Sequence, residues 1–270
     1  MLRELGLLAA ACVCFACEST RTSAPPPSKP DASGVARPDA AAPDSGAKRD
    51  AAMSGPIRVQ IFSRTEGFRH DSIEPAHEAI AGLAGLRVQR SEDPAELVRA
   101  LADSDVVVFL MTTGDVLDPA QQDALEAYVR KGGGFVGVHS SADTEYDWPF
   151  YGTLNGAWFA SHPAVQRARI AVQRDLEPKL EFLPAVWERE DEWYNFKANP
   201  RADSAVRVLA TLDESSYEGG TMGADHPIVW CRNLDAGRAF YTGLGHTQAS
   251  WQDPLVVQHV AAGVRWAAGR

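Results

Sequence analysis

After Asp105 the chain runs VVVFLM to Met111 without a polar interruption. A short, β-branched apolar run of this kind belongs to a strand covered on both faces, and such strands are typical of parallel sheets sandwiched between helices. The flanking segments supply the helices. IRVQIFS (Ile57–Ser63) reads as a strand, Ile73–Leu86 as a helical stretch and LRVQRS (Leu86–Ser91) as a second strand. PAELVRALAD follows as a helix with Pro94 in its first turn. DPAQQDALEAYVRKGG is a helix capped by Asp118, opened by Pro119 and closed by glycines. GFVGVH is the next strand. This β-α-β-α alternation predicts a mostly parallel α/β sheet with helices on both faces.

The second half is less regular. AVQRARIAVQ alternates and is a candidate extra strand; AVRVLATL, HPIVWCRNL and GRAFYTGLG read as three more; DPLVVQHVAAGVRWAAG reads as a terminal amphipathic helix. The aromatic and acidic stretch between Trp148 and Pro200 has little periodicity and is expected to be an insertion over one end of the sheet. No internal repeat is evident.

The first 17 residues, MLRELGLLAAACVCFAC, join a weakly basic start to an apolar run too short to span a bilayer, the pattern of an export signal. Ala16 before Cys17 matches a bacterial lipobox, so Cys17 is the expected lipidation site, with Cys12 as the alternative. Residues 18–55 are rich in proline and small residues and cannot build a core, so they are expected to form a tether. Residues 56–270 then form the folded domain. The expected location is the cell envelope, as a periplasmic or outer-membrane-attached lipoprotein, with plain secretion as the alternative. Cys231 is the one cysteine beyond the signal region and reads as a buried small hydrophobe. A net charge of -10 argues against a nucleic-acid partner or an anionic membrane surface, leaving the N-terminal segment as the only expected membrane contact.

Ligands of open parallel sheets bind beyond the carboxyl ends of the strands. The loops there carry Arg69 and His70, Thr112 and Thr113, His139 with Ser140 and Asp143, and His246. Five histidines (His70, His139, His162, His226, His246) flank strand ends or turns; His77 and His259 fall in helical stretches and are expected on surfaces. His139 reads equally as an acid/base group, as a metal ligand or as a brace for its turn. His139, His162, His226 and His246 are the candidate ligands for a divalent metal such as zinc, although no compact ligand spacing links them. The turn GVHSSA lacks the G-x-S-x-G spacing of a nucleophile elbow, so Ser140 is a substrate contact rather than a nucleophile. Trp148, Trp158, Trp187, Trp193 and Tyr194 offer flat faces, while Asp147, Glu190, Asp191 and Glu192 offer acceptors, a pairing suited to a saccharide.

TEGFRHDSI, GGGFVGVHSSADTEYDWPFYGTLNGAWFASHP, EDEWYNF, LDESSYEGGTMGADHPIVWCRNLDAGRAFYTGLGHT and HVAAGVRWAAG together resemble the ThuA-like family, named for trehalose utilisation. The likeness spans Ile57 to Gly269. It implies a flavodoxin-like sheet related to class I glutamine amidotransferases but without their catalytic cysteine. It also implies a role in sugar catabolism, with trehalose-type disaccharides or their 3-keto derivatives as substrates. The residues that match its motifs are Arg69, His70, His139, Asp143, His162, Asp191, Glu192, His226 and His246. The expected catalytic groups are His139, His246 and Glu192, with Arg69, His70, Ser140, Asp143, Trp148, His162, Asp191, Trp193 and His226 in substrate contact. Two readings stand: a sugar-processing hydrolase, lyase or isomerase, or a non-catalytic carbohydrate-binding module.

Overall fold

The apolar runs become strands in chain order. β1 (Ile57–Phe62), β2 (Leu86–Ser91), β3 (Val106–Leu110) and β4 (Gly134–Val138) alternate with α1 (Ile73–Ala81), α2 (Pro94–Ala100) and α3 (Pro119–Arg130). Then follow α4 (Pro149–Asn155), β5 (Phe159–Ser161), β6 (Gln166–Val172), β7 (Val186–Asp191), β8 (Asn195–Phe196), β9 (Arg207–Asp213), β10 (His226–Leu234), β11 (Gly237–Thr242) and α5 (Pro254–Ala267). The computed structural model describes residues 55–270, so the export signal, Cys12, Cys17 and all but the last residue of the tether lie outside the described residues. Among the described residues no helix is long and apolar enough to cross a membrane.

Nine strands form one sheet in the order β2-β1-β3-β4-β11-β10-β9-β6-β7. From β2 to β11 all pairings are parallel; from β11 to β7 all are antiparallel. Alternation along β3 explains the two layers. Val106, Val108 and Leu110 join Ile73 and Ile80 of α1 and Val256, Val260 and Val264 of α5 in one core. Val107 and Phe109 point the other way, into a core with Leu97 of α2, Leu125 and Val129 of α3, and Tyr151 of α4. Each such side chain contributes about 1.5–3 kcal/mol on burial. The helix starts are fixed chemically: the Asp118 carboxylate accepts from the Gln121 backbone N–H, and the Gln121 side chain accepts from that of Asp118, both at 2.9 Å.

The stretch read as an insertion is in part sheet. β6 pairs with β9 and β7 with β6, extending the main sheet, while β5 and β8 make a separate two-stranded ladder. In β7 the inward set is Trp187, Arg189 and Asp191. The two helical histidines are also placed otherwise than expected: His77 is 5% exposed and His259 not at all. The His259 ring lies between Phe240 (5.5 Å between centroids) and Trp187 (6.2 Å), so β7 covers the side of α5 that a helical pattern alone assigns to solvent. Four inter-strand spacings separate β11 from β7, roughly 19 Å in a flat sheet. Contacts between the two strand ends therefore require the antiparallel half to coil back.

Candidate metal centre at the strand ends

His139 follows β4 with φ at 49°, the left-handed region. A non-glycine residue there is uncommon and held by its surroundings. The Tyr241 hydroxyl donates to the His139 carbonyl (2.9 Å), and the Tyr151 hydroxyl donates to that of Ser141 (2.8 Å). Gly137 permits the turn: a Cβ there would lie 2.4 Å from Asn155 Oδ1 and 2.6 Å from Ser141 Oγ, which are bonded to each other at 3.1 Å. The strand-to-helix elbow is thus present, with an imidazole at its apex. Gly137→Ala is expected to cost about 1–3 kcal/mol through overpacking, read as a lower urea midpoint. An unchanged midpoint would mean that the elbow tolerates displacement.

Three further groups converge on His139. One donor atom each from His70, His139, Glu192 and His246 lies within 4.8 Å of the others. Three of the separations are shorter still: His139 Nε2 to His246 Nδ1 is 3.2 Å, His139 Nε2 to Glu192 Oε2 is 3.4 Å, and His246 Nδ1 to Glu192 Oε2 is 3.1 Å. Bonds of about 2.0–2.1 Å to a zinc-like ion would set tetrahedral donors roughly 3.3–3.4 Å apart. These three atoms therefore stand at the spacing of neighbouring ligands. His139 Nδ1–H donates to the Gly243 carbonyl (3.0 Å), which fixes the tautomer and turns the Nε2 lone pair inward, as metal-binding imidazoles are usually held. Facing lone pairs repel, so the cluster needs either a proton on His246 Nδ1 or a shared cation.

The electrostatics favour positive charge in the middle. Burial, then the neighbouring His139 and His246 rings, push His70 down to about 3, leaving it neutral. Burial alone would raise Glu192, but hydrogen bonds and charge from His139 and His246 outweigh it and hold the carboxyl well below the usual carboxylate range. Burial opposes charge on His246, yet Glu192, and behind it Asp191, hold its imidazole above the ordinary value.

Asp191 explains how the coiled half of the sheet is tied to the parallel half. It is fully buried and accepts from the backbone N–H groups of Gly245 (2.9 Å), His246 (3.0 Å) and Glu192 (3.0 Å), from Ser250 Oγ (3.0 Å) and from Arg189 (3.3 Å). Expected among the substrate contacts, it is instead a brace that positions two members of the cluster. Ser140 is likewise buried, with its hydroxyl 3.3 Å from His70 Nδ1. His162 stands at the rim, 41% exposed, with Nδ1 2.9 Å from the outer Glu192 oxygen.

The remaining expected residues are not members of the four-residue cluster. His226 is buried behind Tyr194, with Nε2 2.8 Å from the Tyr194 carbonyl and Nδ1 2.8 Å from Glu214, so it cannot share an ion with His139. Arg69 is occupied by Glu92 (2.7 Å). Asp143 accepts from the Tyr146 hydroxyl (2.6 Å). Trp193 is fully buried and donates to the Gln166 carbonyl, and Trp187 is buried too, so neither face is open to a sugar. Trp148 packs on Phe150 and Tyr151. Cys231 is free and buried, and burial pushes its thiol up to about 11, which withholds the thiolate. Tyr194, one of the flat faces expected for a sugar, instead lies tilted over the His139 ring (4.2 Å), and the Gly243 carbonyl had no sequence signal, since a backbone acceptor is not marked by a motif.

A nine-stranded sheet with a parallel half, helices on both faces and a strand-end elbow carrying a histidine at its apex defines the chain as an α/β protein. Within that class the chain belongs to the ThuA family, described as trehalose utilisation, whose sequence pattern matches residues 58–267. A ThuA-like protein from Bacteroides uniformis superposes with a TM-score of 0.64 at 23% identity, covering 79% of this chain and 92% of that one. One from Parabacteroides merdae superposes at 0.65 and 20%, covering 79% and 90%. A β-galactosidase from Bacillus circulans sp. alkalophilus shares the fold over 79% of this chain but 31% of its own, at 0.54 and 14%. No functionally curated protein matches the chain.

Proposed function

We propose that this chain is an enzyme that acts on a trehalose-type disaccharide or its 3-keto derivative at a divalent-cation centre formed by His70, His139, His246 and Glu192. The observation that carries this reading is the ligand-like spacing of His139 Nε2, His246 Nδ1 and Glu192 Oε2. The family's link to trehalose utilisation supports the substrate class. A bound cation of the zinc class would polarise a sugar hydroxyl or carbonyl oxygen. With the inner lone pairs so engaged, His139 holds rather than transfers, and the exposed His162 is the imidazole free to carry a proton between substrate and solvent. Glu192 links the two, one oxygen inward and one toward His162. We also propose that the domain works outside the cytoplasm, tethered by lipid at Cys17; radiolabelled palmitate on the wild type and none on Cys17→Ser is the expected result.

Elemental analysis of the purified domain, followed by product detection on trehalose and its 3-keto derivative, tests the reading. Stoichiometric metal with turnover is expected. Measurable sugar binding with no turnover of either compound would make the chain a binding module instead. His162→Gln is expected to lower kcat by about 10²–10⁴-fold while metal content stays at one per chain. A full kcat in that variant would remove His162 from the proton path.

A further inference from the structure

Phe68 is the most exposed large apolar residue among those described, at 66%. Its ring meets His70 edge to face at 4.9 Å between centroids, one contact from the cation cluster. The exposure is built in rather than loose. Thr113 Oγ1 donates to the Phe68 carbonyl (3.1 Å) and accepts from the Gly67 N–H (3.1 Å), and the Glu66 N–H donates to the Thr113 carbonyl (2.8 Å). A Cβ on Gly114, whose φ is 77°, would lie 3.0 Å from Glu66 Cβ, so the two loops fit closely. The chain neighbours Glu66, Arg69 and Asp71 are all exposed polar groups, and Asp71 accepts from Gln248 (2.9 Å). A single held aromatic in polar surroundings does not form the wide apolar patch that a protein partner needs. It suits the C–H face of a sugar ring, with its hydroxyls met by the charged rim.

We propose that Phe68 is a stacking platform for the second pyranose ring of a disaccharide whose first ring lies over the His70, His139, His246 and Glu192 cluster. The proposal rests on the saccharide reading above and gives that site its length selectivity. A ring seated on Phe68 adjoins the cluster directly, because the Phe68 and His70 rings meet at 4.9 Å between centroids.

Calorimetric titration of the full domain with trehalose and with methyl α-glucoside tests it. In Phe68→Ala the ratio of trehalose to methyl α-glucoside affinity is expected to fall about three- to tenfold, and in Phe68→Trp to return to the wild-type value. Phe182→Ala, which removes another exposed aromatic, should leave the ratio as it is. A wild type that binds trehalose, with an unchanged ratio in Phe68→Ala, overturns the platform and leaves the saccharide reading standing. A wild type that binds neither sugar overturns both.

Discussion

Alanine at His139 is expected to lower divalent-cation affinity by more than about 100-fold, beyond the loss typical of groups that only orient ligands. The reason is geometric. His139 Nε2 is the donor that both other close ligands face, at 3.2 Å and 3.4 Å, and its opposite nitrogen is committed to the Gly243 carbonyl. No other described side chain can take its place at the apex of the elbow. A zinc titration against a competing chelator measures the effect, and near-ultraviolet circular dichroism checks that the variant is folded. Wild-type affinity in a folded His139→Ala domain would end the case for a metal centre and return the histidine to the role of a brace for its turn.

Removing the Asp191 carboxylate is expected to be the most destabilising single change near the site. Asp191→Ala leaves three backbone N–H groups, the Ser250 hydroxyl and the buried Arg189 guanidinium short of their shared acceptor. Truncating one partner of such a buried charged network costs about 3–5 kcal/mol. Urea denaturation reads the loss directly. Asp191→Asn keeps an acceptor of the same shape without the charge, so it should fold better yet bind cations about 10–100-fold more weakly. A variant pair with wild-type stability and affinity would show that the strand ends hold themselves in register without this residue.

The parallel half of the fold was legible because its signals are local. The run after Asp105, the cap at Asp118 and the glycine turn before Phe135 each announce an element within a few residues. The antiparallel half was not, since the alternation in QRARIAV marks a strand but says nothing about pairing with β9 across some forty residues. The burial of His259 is hidden for a related reason: helical period shows which face is apolar, not whether a strand distant in sequence covers the other. Trp187 of β7 does so here. At the site, strand-end position and family motif agree on His139 and His246, while Glu192 is marked by the family motif and its acidic stretch. Asp191 adjoins Glu192 and shares its acidic stretch, and only burial separates the brace from the ligand. Phe68 lies inside TEGFRHDSI, yet a lone phenylalanine between Gly67 and Arg69 carries no sign of being exposed.

The coiling of β6 and β7 over α5 has a consequence for how the protein comes together. Three of the four cluster residues are delivered by the parallel strands, but Glu192 directly follows β7, the strand at the opposite edge of the sheet from β2. An ion gripped by all four would rivet the outermost hairpin to the centre of the molecule, so that peeling the sheet edge and releasing the ion become a single event.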